Sequence, residues 1–308
     1  MTGSDTPTVV VGVPVRNGGA YLADCLASLC DQTRPPDTIV VSDNASDDDT
    51  VAVAERFRRH HPDLRIRRRL RNVGASANFN ELVTTTDSTY FAWMAHDDRW
   101  EPQLLERALV ALDGDAGIAV AHGEPTWIDP AGDPAGRPVR PIWSDSPDPV
   151  TRIAELLADD VATHLHDCNA AMGVMRRSAL ERTRLVQSFP GADKTLIFEL
   201  ALQGRITELS GVHFLRRRHP ASSVVAHPDA DDRQRWFDPR RTRPATPVVD
   251  LVGSYLSAVA RADHLGAAER VRIAALVARW SLSRRRFRVM AGELRRRALS
   301  RPSPATSE

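Results

Sequence analysis

Two adjacent carboxylates, Asp97 and Asp98, close an apolar run that starts at Tyr90 (Tyr-Phe-Ala-Trp-Met-Ala-His-Asp-Asp), and Pro102 follows shortly after. In an α/β chain, ligands bind just beyond the carboxyl ends of the strands. Two acids in that position suit a hard divalent cation such as Mg2+, which takes carboxylate oxygens and shares its other positions with phosphate. The same residues also read as the start of a helix, with Asp98 as a cap and Pro102 near the first position. Only the company the pair keeps can separate the two readings.

The elements that must position the acids are legible as short apolar runs. Val9 to Val15 is β-branched and reads as a strand buried on both faces, the signature of a parallel sheet. Thr38 to Ser42, Leu64 to Ile66 and Tyr90 to Met94 read the same way, with helical spacing between them. This alternation predicts a mostly parallel, doubly wound sheet flanked by helices, with right-handed crossovers. Each run ends in polar or glycine-rich residues, so Asn17, Asp43, Asn72 and Asp97 are expected to converge along one sheet edge. A capping residue needs no such company, and the convergence favours a ligand site.

Further on, helices are expected over Leu104 to Leu112 and Ile153 to Leu157, with a strand over Ile118 to Ala121 between them. Residues 123–150, rich in Pro, Gly and Asp, read as a long irregular excursion. Asn169 to Met175 reads as a strand, Gly191 to Lys194 as the lead into a helix, and 205–209 and 212–215 as two short strands. Residues 226–247 read as a linker or flexible flap. Val249 to Ala262 and Ala267 to Leu299 read as two helices, the second long and arginine-rich. That helix is either docked with a solvated basic face or lies on anionic lipid as a peripheral membrane contact.

Composition narrows the class. Net charge is +1, so no overall field points to nucleic acid. Lys194 is the only lysine, and three cysteines carry neither metal spacing nor a disulfide framework, which suits a reducing compartment. No signal peptide and no membrane span of roughly 18–20 apolar residues is expected. The expected setting is cytoplasmic, with the inner face of the membrane as the peripheral alternative. Neither G-x-G-x-x-G nor G-x-x-x-x-G-K-[ST] follows the first strand, so a nucleotide here would be held by acids and a metal rather than a glycine cradle.

Four segments now stand in order: Val13-Pro14-Val15-Arg16-Asn17, the loop Val41 to Asp47, Arg71-Asn72-Val73-Gly74, and Ala95-His96-Asp97-Asp98. Together they resemble the opening half of a bacterial family 2 glycosyltransferase with the GT-A fold. The likeness covers about residues 8–225 and leaves out the helical tail. It implies a nucleotide-sugar half over about 8–122, an acceptor half over about 123–225, C-terminal helices over 248–299 and a disordered tail over 300–308. It also implies inverting, metal-dependent transfer from a UDP- or dTDP-type sugar donor. The acceptor stays open among a glycan, a lipid-linked intermediate and a small molecule. Oligomeric state stays open too, a homodimer being one option.

The resemblance carries roles onto single residues. Pro14, Val15, Asn17, Asp43, Asn44, Asn72, Gly74, Asn78, His96 and Asp97 are implied to surround the donor, with Asp43 accepting a hydrogen bond from the base. Asp97 is implied to bind Mg2+ or Mn2+, Asp98 to bind it or support the turn, and Asp193 to act as the base that takes the acceptor proton. His219 resembles a position where some relatives place a further metal ligand, and imidazole suits Mn2+ better than Mg2+. A loop histidine that only hydrogen-bonds is the other reading. Arg216 to Arg218 either neutralise diphosphate or alternate along a strand with one pointing inward. Trp127 and Trp143 either stack on an acceptor or pack in the loop; His164 and His166 fall in no motif. The pattern departs at Ala95, where the family commonly has an Asp. That departure keeps a second reading alive, a sugar-nucleotide-binding scaffold without turnover. A nucleotidylyltransferase fits less well, because Arg16-Asn17-Gly18-Gly19 is too short for its phosphate loop.

Overall fold

A computed structural model of the chain describes residues 8–136, 144–158 and 168–300. Trp143, His164, His166 and residues 301–308 lie outside the described residues. The first part runs β1 (Val9–Val15), α1 (Gly19–Cys30), β2 (Thr38–Asp43), α2 (Thr50–Arg58), β3 (Leu64–Arg68), α3 (Ala75–Thr84) and β4 (Tyr90–Trp93). It continues through β5 (Arg99–Trp100), α4 (Leu104–Gly114), β6 (Ile118–Ile128) and α5 (Pro149–Ala158). After a 3-10 turn at Asn169–Met172 come β7 (Val174–Arg176), α6 (Arg177–Leu180), α7 (Ala192–Gln203) and β8 (Arg205–Arg217). The chain closes with α8 (Ser223–Ala226), α9 (Ala230–Phe237), α10 (Pro247–Arg261), α11 (Ala267–Ser281) and α12 (Arg284–Leu299).

Among the described residues one sheet of eight strands runs in the order β3-β2-β1-β4-β7-β6-β8-β5. The half from β3 to β4 is wholly parallel. In the other half β7 is antiparallel to both neighbours, β6 and β8 are parallel, and β5 is antiparallel to β8. Side chains alternate across the sheet with a period of two. Val9, Val11, Val13 and Val15 therefore join one core with residues of α1, α2 and α4. Val10, Phe91 and Trp93 join the other core with residues of α3, α5, α7, α10 and α11. The C-terminal helices are thus part of a layer: the Phe198 and Tyr255 rings stack 4.1 Å apart where α7 meets α10.

Pro14 inside this central strand is explained by where β4 stops. Gly12 O accepts from Met94 N (2.9 Å) on the β4 side, and the pairing ends there. The backbone two residues on faces the same side, so the missing Pro14 N–H falls where no strand needs it.

Several boundaries differ from expectation. β6 runs on to Ile128 where an irregular excursion was expected, because β8 pairs with it along that length. Beyond Ala121, β6 has lost β7 from its other side, an edge position that tolerates Pro125. β8 is one strand rather than two, with a register irregularity near Gly211, whose φ is +73°. Asn169 to Met172 turns rather than extends, and β7 starts only at Val174. The stretch 226–247 contains α9, whose Gln234 is buried and donates to Ser188 O (2.7 Å). The long terminal helix is two helices, broken at Leu282-Ser283.

Candidate active site

In the parallel half, β1 lies between β2 and β4, so the chain reverses its direction of winding at β1. Ligands bind in the crevice that such a switch point opens beyond the strand ends. Two loops meet there. Gly18, after β1, lies so close to His96, after β4, that a Cβ on it would sit 2.2 Å from the His96 Cδ2. Asn17 takes a left-handed backbone (φ 54°), a conformation Asn tolerates.

The loops that follow β1, β2 and β3 are laced to each other by side chains. Asn17 N donates to Ser46 Oγ (2.8 Å), and Asp47 N donates to Asn17 Oδ1 (3.1 Å). Asn44 Nδ2 donates to Asn72 Oδ1 (2.9 Å), and Asn44 Oδ1 accepts from Val73 N (3.0 Å). Gly74 is held at φ +89°, and a Cβ there would meet Phe237 O at 2.4 Å, so the chain after α9 presses directly on this loop. Pro14 and Val15 are buried at the end of β1. Asp43 is fully buried and accepts from Ser46 N (3.1 Å), with Arg68 Nε 3.8 Å away. Asn78 spends its amide on Ser42, through Oδ1 to Ser42 Oγ (2.7 Å) and Nδ2 to Ser42 O (2.9 Å). It braces α3 against β2.

The acidic turn between β4 and β5 is held from β8. His219 Nε2 lies 2.9 Å from Asp97 Oδ2, which brings the two expected ligand residues together. Asp98 is tied elsewhere: its Oδ1 accepts from Arg217 N (2.8 Å). It does not cap α4, whose N-cap is Gln103. Arg217 is the inward member of the arginine triplet, with a fully buried side chain. Its Nε donates to Asp97 O (2.9 Å), Nη1 to Pro130 O (2.9 Å) and Nη2 to Asp24 Oδ2 (3.0 Å), and its guanidinium lies over the Tyr21 ring. The triplet alternates as a strand must, but its inward charge goes to the turn itself.

Burial raises the Asp97 pKa, but neighbouring His96 and the hydrogen-bonded His219 outweigh it and hold the carboxyl below the usual range. Asp98 is pushed well above that range, by burial first and by the Asp97 charge second, with Arg216 and Arg217 offsetting only part. Adjacent carboxyls driven apart in this way have separate roles open to them.

Asp193 lies in the first turn of α7, where Gly191 is the N-cap, and its Oδ1 accepts from Lys194 N (2.9 Å). Burial first, then the charge of Asp193, raise the pKa of the buried Cys168 thiol well above its ordinary value. Next to Cys168, Asn169 Oδ1 accepts from Arg216 Nη1 (3.1 Å), and Arg216 acts in turn on the charge of Asp98. Arg216 and Arg218 both lie over the Trp127 ring, 4.9 and 5.6 Å from its centre. Cys168, Asn169, Tyr21 and Asp24 fall in no motif of the sequence. For Arg217 it held one clue, that one of three consecutive strand residues must point inward.

An α/β domain with acids and amides gathered at a switch-point crevice has its polar groups where folds of this kind bind ligands. Glycosyl transferase family 2 matches residues 10–184, more than half of the chain, and the chain belongs to that family. It is 26% identical over 122 residues to the uncharacterized glycosyltransferase YibD of Escherichia coli K12, a stretch that covers 39% of this chain and 35% of YibD. The Staphylococcus aureus TarS 1-349 structure with UDP-GlcNAc superposes with a TM-score of 0.65 at 16% identity, covering 93% of this chain and 79% of that one. The mannosyltransferase PcManGT of Pyrobaculum calidifontis, solved with GDP-Man and Mn2+, gives a TM-score of 0.50 at 17% identity, covering 96% and 87%. At such identities the solved structures attest the GT-A fold, here with its C-terminal helices.

Proposed function

We propose that the protein transfers a sugar from a UDP- or dTDP-type donor to an acceptor hydroxyl, with inversion at the anomeric carbon. The observation that carries this reading is the pairing of Asp97 with His219 across 122 residues of chain. The structures of TarS with UDP-GlcNAc and of PcManGT with GDP-Man and Mn2+ support a nucleotide-sugar donor for a domain of this fold.

The donor set fits a divalent cation. A carboxylate held in its anionic form and an imidazole nitrogen are a combination that Mn2+ accepts well. Among the described residues no group of three or more His, Cys, Asp or Glu forms a cage. Asp97 and His219 would hold the ion while donor diphosphate and water fill its other positions. When bound, it would neutralise charge on the leaving diphosphate. Asp98 would set the turn without ligating.

The remaining steps belong to the chain's own groups. Asn17, Asn44 and Asn72 fix the loops against which the nucleotide lies. Asp43, already receiving Ser46 N, keeps acceptor capacity for a pyrimidine N–H. The acceptor oxygen attacks the anomeric carbon as the bond to the diphosphate oxygen breaks, and the acceptor proton passes to Asp193. A direct displacement with a single base accounts for inversion.

Asp97→Ala and Asp193→Ala should each lower transfer by about 1,000-fold or more, the range in which lost bases and charge-stabilising groups fall. Only Asp97→Ala should abolish the Mn2+-dependent thermal shift given by UDP- or dTDP-sugars. Turnover near wild type in Asp193→Ala would remove the base assignment. Donor binding without transfer or slow donor hydrolysis in the wild-type protein would favour the scaffold reading that Ala95 suggests.

A further inference from the structure

Helices α11 and α12 carry a surface that the transfer chemistry does not use. Helix α12 has seven arginines and one acid, Glu293. Glu293 is buried and spent on α10, its carboxylate accepting from Val248 N (3.2 Å) and Val249 N (3.0 Å). No acid of α12 is left to balance its outward charge. Arg286 folds back over the Trp280 ring at 4.0 Å, and Met290, Glu293 and Arg297 complete the docked side at helical spacing.

The outward side is amphipathic in an unusual sense. Phe287 and Leu294, one heptad apart, are 56% and 52% exposed, and Arg284, Arg288 and Arg295 occupy the adjoining arc. Of the ten large apolar side chains that stand exposed among the described residues, six lie between Val271 and Leu299. Phe287 and Leu294 share one face of α12, and exposed apolar side chains set together on a face mark an interaction surface.

We propose that this face docks on an anionic lipid bilayer. Helix α12 lies in the interface, Phe287 and Leu294 enter the boundary between headgroups and acyl chains, and the flanking arginines meet lipid phosphates. The chemistry selects this occupant over two others. Nucleic acid would pair with the arginines but leave the apolar stripe unmatched. A second copy in a two-fold contact would set arginines against arginines. The proposal holds whichever donor or acceptor the crevice takes.

The test is flotation of the full chain with vesicles of phosphatidylcholine alone and of phosphatidylcholine mixed with phosphatidylglycerol. Binding to the mixed vesicles only, weakened by added salt, is expected. The triple substitution Arg284→Gln, Arg288→Gln, Arg295→Gln should weaken partition by roughly 100-fold, about fivefold for each arginine. Phe287→Ser with Leu294→Ser should weaken it too and leave donor-induced thermal shifts unchanged. All five positions face solvent, so melting temperatures should stay at the wild-type value. Equal binding to neutral vesicles, no binding to either, or partition unchanged by both sets of substitutions would overturn the proposal. So would concentration-dependent dimerisation, or nucleic-acid binding, that the arginine substitutions abolish while the wild-type protein ignores lipid.

Discussion

The two sides of the crevice are fastened in different ways. On the side proposed for the nucleotide the side-chain ties span 28 to 36 residues, as between Asn44 and Asn72 and between Ser42 and Asn78. On the acid side the turn at Asp97 and Asp98 is held by Arg217 and His219, 119 to 122 residues further on. The side-chain ties of the first side lie within the parallel half of the sheet. The second is complete only when β8 has paired with β6. Metal-dependent and nucleotide-dependent contributions to donor binding should therefore be separable by mutation.

The largest separation is expected from Arg217→Met. A fully buried guanidinium with several hydrogen bonds is removed, and Asp24 and the turn carbonyl lose their partner. Breaking a buried ion pair from one side costs about 3–5 kcal/mol; the exposure of Asp24 places the effect at the lower end. Urea denaturation should show that loss. In protein that remains folded, the apparent affinity for Mn2+ should drop while nucleoside diphosphate without metal binds as before. An equal loss of both would mean that the two sides are not independent.

His219→Asn probes the same side more gently. Removing a group that ligates or orients a ligand costs typically about 10–100-fold in metal affinity. The variant should show that change in a Mn2+ titration of donor binding, with little change in melting temperature without metal. Asn44→Ala is the mirror experiment. It leaves Val73 N without its acceptor and unties Asn72, a loss of about 1–3 kcal/mol for unsatisfied buried groups. Binding of UDP without metal should weaken, and the Mn2+ dependence should keep its midpoint.

The same contrast explains what could be read in advance. The strands from Val9 to Trp93 announce themselves because each is an apolar run bounded by turns, and the polar residues after them converge by topology alone. The joining of Asp97 to His219 followed from resemblance, and local pattern could not supply it. Arg217 was hidden because a triplet of arginines on a strand does not reveal its own phase. Residues 123–128 were misread for a related reason. Their proline and glycine signal a loop locally, and β8, pairing from far along the chain, overrides that signal. Asn78, which the resemblance implies near the donor, bonds Ser42 through both ends of its amide.

The smallest predicted effect bears on how the acid side tolerates two neighbouring carboxyls. Burial and the Asp97 charge raise the Asp98 pKa, so its neutral form suits the fold. A carboxyl with a raised folded pKa gives its full stability below its unfolded value, about 3.9. That stability is lost as pH climbs through the folded value. Asp98→Asn keeps an oxygen to accept from Arg217 N and never becomes charged. In EDTA the variant should therefore melt with the wild type near pH 4 and above it at pH 7–8, by about 2–4 °C if the relief is near 1 kcal/mol. Asp97, held below the usual range, titrates in the opposite sense, losing its stabilisation as pH falls. It does so in both proteins, and its contribution largely cancels from the difference. A gap that instead widened toward acid pH would mean that the Asp98 carboxylate is stabilised by Arg216 and Arg217 more than burial opposes it. The turn would then have to be redrawn with both carboxyls charged.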